Sequence, residues 1–189
     1  LIRKFLPDFN IQTGELNDGL NEKSMLDSIR NASKKGRVAM VFIESPANPT
    51  NSLVDIEALN RVLDTIKSET GHRPISVCDN TLMGPIFQQV VPQGIDIAMY
   101  SLTKYVGGHS DLVAGAVCGS IEMLRPVRAT RGMLGLTLDP HSSWMISRSL
   151  ETLNIRMQHS ADSGYKVAQW INDNLYIPAK VLHPDFIED

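Results

Sequence analysis

Four short apolar runs, each closed by a polar loop, set the tightest limit on what this chain can fold into. They span residues 38–43 (VAMVFI), 75–78 (ISVC), 95–100 (IDIAMY) and 112–118 (LVAGAVC). Continuous runs of this length suit strands buried on both faces, as in a parallel sheet. Two amphipathic segments flank the first run. Residues 22–32 carry Met25, Leu26 and Ile29 at helical spacing. Residues 55–67 place Ile56, Leu59, Val62, Leu63 and Ile66 on one face. Strands alternating with helices predict an α/β sheet with parallel members. Ligands of such sheets gather at the carboxyl ends of the strands. Three successive strand ends here present Asn48, Asp79 and Lys104.

Beyond residue 121 the pattern turns helical, with helices expected over 122–131, 141–154 and 156–175 and a new strand over 177–182. A domain boundary is expected near residues 147–160, dividing the chain into an incomplete first domain over 1–150 and the start of a second over 151–189. Trp144 and Met145, at helical spacing, read as core residues. The chain does not begin with Met, and it stops just after a strand-like run, so both ends read as cuts through something larger.

Composition excludes several function classes. The net charge of -3, from 18 basic and 21 acidic residues, offers nothing to a nucleic acid or an anionic membrane. No apolar run approaches the roughly 18 residues of a membrane span, and residues 1–9 do not read as a signal peptide. Two cysteines, Cys78 and Cys118, each lie in an apolar run and read as buried free thiols of a reducing cytoplasm. No cysteine or histidine cluster has zinc spacing, so no metal site is expected.

The chemistry concentrates around Lys104, in the segment SLTKYVGGHSD over residues 101–111. An amine can condense with an aldehyde to form an imine. Ser101 and Thr103, two apart, offer hydroxyls to a phosphate beside that imine. Gly107 and Gly108 let the backbone pass close to a ligand or bend sharply. Taken without its neighbours, Lys104 also reads as a surface lysine in a turn. A phosphate-binding P-loop does not fit, because the lysine precedes the glycines.

Asp79 follows an apolar strand, where a carboxylate is costly unless paired. A protonated pyridine nitrogen is a suitable partner, since that pair keeps the ring cationic and able to take up electrons. A helix-capping or turn aspartate is the equal alternative. Asn48, in a loop between two prolines, offers an amide to a ring oxygen, although asparagine is common in such loops. His109 and Asp111 could form a catalytic pair, but no GxSxG nucleophile motif accompanies them.

Segment 101–111 resembles the cofactor-attachment signature of the Cys/Met-metabolism pyridoxal-phosphate (PLP) enzymes. That family includes cystathionine gamma-synthase, the cystathionine lyases, methionine gamma-lyase and the homoserine-ester sulfhydrylases. ESPANPT at 44–50, CDNTLMGPIFQ at 78–88 and LETLNIRM at 150–157 are similar to family segments in the same order. The resemblance implies a fold-type I, aminotransferase-like architecture: a mostly parallel sheet flanked by helices in a PLP-binding domain, followed by the start of a C-terminal α+β domain. It implies Lys104 as the Schiff-base lysine, Asp79 as the pyridinium partner, Ser101 and Thr103 as phosphate ligands, Asn48 near the ring hydroxyl and Thr81 as a ring contact. Arg156 does not match the family's carboxylate-binding motif and receives no such role.

The resemblance further implies a cytoplasmic homotetramer built as a dimer of dimers. The expected substrate is a small sulfur amino acid or activated homoserine, and the expected reaction is β- or γ-elimination or γ-replacement. A rival expectation is a catalytically incomplete fragment that serves only as a structural or cofactor-binding piece. A nucleotide-binding α/β domain is a third, opposed by the missing GxGxxG and Walker A patterns.

Overall fold

The computed structural model describes residues 2–174 together with 176, 181, 183 and 186. A short helix α1 (Ile2–Phe5) and a 3-10 turn (Leu6–Phe9) precede α2 (Glu22–Ser33), β1 (Met40–Glu44) and α3 (Ile56–Thr70). Then follow β2 (Ile75–Asp79), α4 (Gly84–Phe87), β3 (Ile97–Ser101) and β4 (Gly115–Gly119). Helices α5 (Ile121–Met133), α6 (Pro140–Leu150) and α7 (Leu153–Asp173) complete the described elements.

The helix ends obey local chemistry. The Asn21 side chain accepts the Ser24 N–H at the start of α2, and Asp55 accepts the Ala58 N–H at the start of α3. Each satisfies an amide that the helix itself leaves unpaired. At the far end of α3, Gly71 takes a left-handed conformation (φ 75°) and its N–H caps the Lys67 carbonyl.

The four strands form one sheet in the order β1-β2-β3-β4. β1, β2 and β3 are parallel, while β4 runs antiparallel to β3. The reversal follows from the connection. Residues 102–114 contain no crossover helix, and a parallel return would need one. Because Glu44 pairs with Asp79 and Ser101 pairs with Gly115, the ends of β1, β2 and β3 and the start of β4 share one edge of the sheet.

Helices α2 and α3 cover one face. Met25, Ile29, Leu59, Val62, Leu63 and Ile66 pack with Val41, Ile43, Cys78 and Ala98 in the main core. The expectation of strands buried on both faces holds for β2, where Ser76, Val77 and Cys78 are all buried. It fails for β1, whose Met40 and Phe42 remain 52% and 42% exposed. Among the described residues the helices lie over the other face of that strand.

Three further expectations are corrected. Cys118 is exposed rather than buried, because β4 lies at the edge of the sheet; Cys78 is buried as expected. Trp144 is 55% exposed rather than core, with the Arg148 guanidinium 4.9 Å and the His141 ring 6.0 Å from its ring centroid. The helical stretch after residue 140 breaks at Glu151–Thr152 and not after 154. The phase restarts there because Leu153 and Met157, one turn apart, anchor α7 against Val106 in a second small core. The strand expected over 177–182 lies outside the described residues.

Candidate active site

The sheet edge where β1, β2 and β3 end opens into a cavity of about 1390 Å³. All six residues singled out in the sequence line it: Asn48, Asp79, Thr81, Ser101, Thr103 and Lys104. They reach it from three strand ends that are adjacent in space and far apart in the chain.

Asp79 is half-buried at the end of β2. Its Oδ1 accepts from the Thr81 N–H (3.0 Å) and the Thr81 hydroxyl (2.6 Å). The first of these is the turn contact expected of an aspartate beside its own backbone. Oδ2 has no partner among the described residues. The turn reading and the cofactor reading of Asp79 are therefore compatible, one oxygen serving each. Thr81 does more: its Oγ1 also accepts the Ser101 N–H at 2.8 Å. This single hydroxyl ties the end of β2 to the end of β3 and holds Asp79 and Ser101 in fixed relation.

Ser101 and Thr103 differ in state. The Ser101 hydroxyl has no partner among the described residues. The Thr103 hydroxyl accepts the Ala114 N–H (3.0 Å) and donates to the Ala114 carbonyl (3.3 Å), closing the neck of the 102–114 loop. To donate to a phosphate it must release that carbonyl.

Lys104 follows at once, with its N–H on the Ser101 carbonyl at 3.2 Å. Its side chain is exposed, shares the cavity with Asp79 and has no partner among the described residues. The Asn48 amide is likewise exposed and without a partner, while the Asn48 N–H donates to Glu44 Oε1 at 3.1 Å. That contact holds the Asn48 loop against the end of β1.

His109 and Asp111 make no hydrogen bond to each other; the His109 Nδ1–H donates to the Gly107 carbonyl at 2.8 Å. The Cys78 thiol, behind Asp79, is pushed up to about 11 by burial. It is protonated at neutral pH and so a poor nucleophile.

Sequence reasoning missed Glu44, His159 and Arg156 as cavity residues. Glu44 and Arg156 each stand within a segment that the family resemblance picks out, which was the available signal. His159 carries no comparable one.

The donor set fits pyridoxal phosphate. An unpartnered amine meets the need of an aldehyde, a free carboxylate oxygen that of a protonated ring nitrogen, and a free hydroxyl that of a phosphate. The cavity is large enough for such a ring and a small amino acid together.

Comparison with known proteins agrees with this donor set. The family model for Cys/Met metabolism PLP-dependent enzymes matches residues 1–189. The chain is 33% identical over 170 residues to an L-methionine gamma-lyase of Fusobacterium nucleatum subsp. polymorphum, covering 86% of this chain and 42% of that protein. It is 38% identical over 149 residues to the human cystathionine gamma-lyase, covering 77% of this chain and 35% of that one. The crystal structure of metB from Corynebacterium glutamicum superposes with a TM-score of 0.81 at 26% identity, over 95% of this chain and 44% of that chain. The chain thus spans less than half the length of each of these relatives. Its sheet is that of the fold-type I PLP-dependent enzymes. The chain belongs to the Cys/Met metabolism PLP-dependent enzyme family.

Proposed function

We propose that the whole protein is a PLP-dependent lyase or transferase acting on a sulfur-containing amino acid or an activated homoserine, by β- or γ-elimination or by γ-replacement. The observation that carries the reading is one cavity holding the unpartnered Lys104 amine, the free oxygen of Asp79 and the free Ser101 hydroxyl. Similarity to a methionine gamma-lyase and a cystathionine gamma-lyase supports the substrate class.

In this reading Lys104 is the residue that would hold the cofactor covalently, its amine condensing with the aldehyde with loss of water. The Asp79 carboxylate would pair with the protonated ring nitrogen and hold that proton in place. Ser101 and Thr103 hold the phosphate, Asn48 the ring hydroxyl, and Thr81 keeps Asp79 aimed through its hydroxyl. When bound, pyridoxal phosphate supplies an electron sink for charge left on the substrate α-carbon. With its amine free, Lys104 Nζ would serve as general base for the substrate α-proton and, once protonated, as the general acid that returns it.

The proposed organisation is a PLP-binding domain over 1–150 and the start of a C-terminal domain over 151–189, in a cytoplasmic dimer of dimers. No helix among the described residues is long and apolar enough to cross a membrane. The second reading, a piece that binds cofactor without turnover, is favoured by the exposure of Lys104. Borohydride reduction with pyridoxal phosphate, followed by mass mapping, tests the site. A pyridoxyl adduct on Lys104 is expected, and its absence refutes the assignment. Release of α-keto acid from L-methionine or L-cystathionine supports the enzyme reading; an adduct without α-proton exchange on either supports the second.

A further inference from the structure

Arg156 stands in the first turn of α7, lines the cavity and makes no ion pair among the described residues. Its guanidinium is directed at backbone oxygens instead. Nη1 donates to the Tyr105 carbonyl at 2.5 Å and Nη2 to the Val106 carbonyl at 3.0 Å. Nη2 also donates to the Ser149 carbonyl at 2.7 Å, and Nε donates to the Thr152 hydroxyl at 3.0 Å. Tyr105 and Val106 are the two residues that follow Lys104. A guanidinium is a rigid planar fork, so it orients what it binds in a way a single ammonium cannot.

The loop is shaped to receive this fork. The Gly108 N–H closes a turn onto the Lys104 carbonyl at 2.8 Å. Gly108 has φ 78°, and a Cβ there would overlap the Arg156 guanidinium. Alongside, Val106 packs on Leu153 and Met157, which share one face of α7 a turn apart and bracket Arg156 in the chain. One helical turn thus grips the Lys104 loop by an apolar contact and a polar one together.

We propose that Arg156 is the positioning residue of Lys104: it fixes the two peptide groups after the lysine, so that the amine meets the cofactor aldehyde in a reactive orientation. This rests on the reading of Lys104 given above. It makes the aim of the amine depend on where α7 sits, since the Tyr105 and Val106 carbonyls are bound some fifty residues away in the chain.

The test uses the purified protein freed of cofactor, with pyridoxal phosphate added at increasing concentration and the Lys104 adduct trapped by borohydride and quantified by mass. Arg156→Met should lower the saturating rate of adduct formation by about 100-fold, the scale of loss when a reacting group is misplaced by about 1 Å. The half-saturating concentration should move by less than about threefold, because Ser101 remains held by the β3 ladder and Thr81 and initial binding is separate from the bonding step. Arg156→Lys should recover roughly tenfold of the lost rate, since it restores donors without the fork.

A saturating rate in Arg156→Met equal to that of the wild type overturns the inference. So does a rate and a half-saturating concentration that fall off together with thermal stability and show no recovery in Arg156→Lys. If Arg156→Met does not fold, Thr152→Val decides. It removes the Nε partner and the long 3.4 Å contact of the Thr152 hydroxyl to the Ser149 carbonyl, leaves the Arg156 donors to Tyr105 and Val106 in place, and should slow the saturating rate by about threefold, the size of one modest hydrogen bond; an unchanged rate overturns the inference. Absence of any adduct on wild-type Lys104 overturns the reading of Lys104, and this inference with it. An adduct that forms on the wild type and is not slowed in Arg156→Met overturns this inference alone.

Discussion

Beyond Lys104 and Asp79, Thr81→Val is the most informative single change. Valine keeps the β-branched shape, so it opens no cavity, and it removes only the hydroxyl. That hydroxyl donates to Asp79 Oδ1 at 2.6 Å and accepts the Ser101 N–H at 2.8 Å. A hydrogen bond to a charged group contributes about 1.5–3 kcal/mol, and Asp79 is half-buried, so the lower end applies. The orphaned Ser101 N–H, also half-buried, adds about 1 kcal/mol. Together they predict a loss of about 2.5 kcal/mol, which at a typical urea slope of about 2 kcal/mol/M lowers the unfolding midpoint by roughly 1 M. Thr81→Ser keeps the hydroxyl and should lose less than half as much. Urea unfolding followed by tryptophan fluorescence or circular dichroism checks both variants. A Thr81→Val midpoint within about 0.2 M of the wild type, a shift of only some 0.4 kcal/mol at that slope, refutes the tie between β2 and β3.

Four other outcomes are expected. Lys104→Ala should abolish the visible absorbance that the wild type develops with pyridoxal phosphate; an unchanged spectrum removes Lys104 from the site. Asp79→Ala should slow exchange of the substrate α-proton in deuterated water by 100-fold or more, on the order of the contribution of a charge-stabilising group, and normal exchange counts against its role. Under native conditions near neutral pH, iodoacetamide should modify the exposed Cys118 and spare Cys78; reversal of that order would contradict the burial of β2. Burial raises the Cys78 thiol from 9.0 to about 11, so the unfolded chain loses this proton first as pH rises. Its stabilising contribution is complete below pH 9 and is lost as pH climbs through 11. The stability gap between wild type and Cys78→Ala should therefore shrink across that window.

Much of the candidate site is legible in the sequence. Asn48, Asp79 and Lys104 follow apolar runs, and in a parallel sheet the ends of such runs share one edge whatever the details of packing. Other features were hidden for a common reason. The apolar run through Cys118 looks like any other buried strand, because an edge strand and a central one share a local pattern. Trp144 has helical spacing, but spacing marks a face and does not say whether anything covers it. Thr103 and Ser101 look alike as hydroxyls. Only the hairpin between β3 and β4, which brings Ala114 against Thr103, distinguishes the engaged one from the free one.

By itself the sequence determined the strand-and-helix alternation, the family and the identity of the chemically able residues, since these depend on local periodicity and on side-chain chemistry. The tertiary structure alone decided how those residues are held. The Thr81 hydroxyl between Asp79 and Ser101 spans 20 residues of chain, and the Arg156 fork on the Lys104 loop spans about 50. Hydrogen bonds of that kind form only once a sheet edge and a distant helix have packed together. Burial of Val106, Leu153 and Met157 sets that packing, and no local pattern contains it.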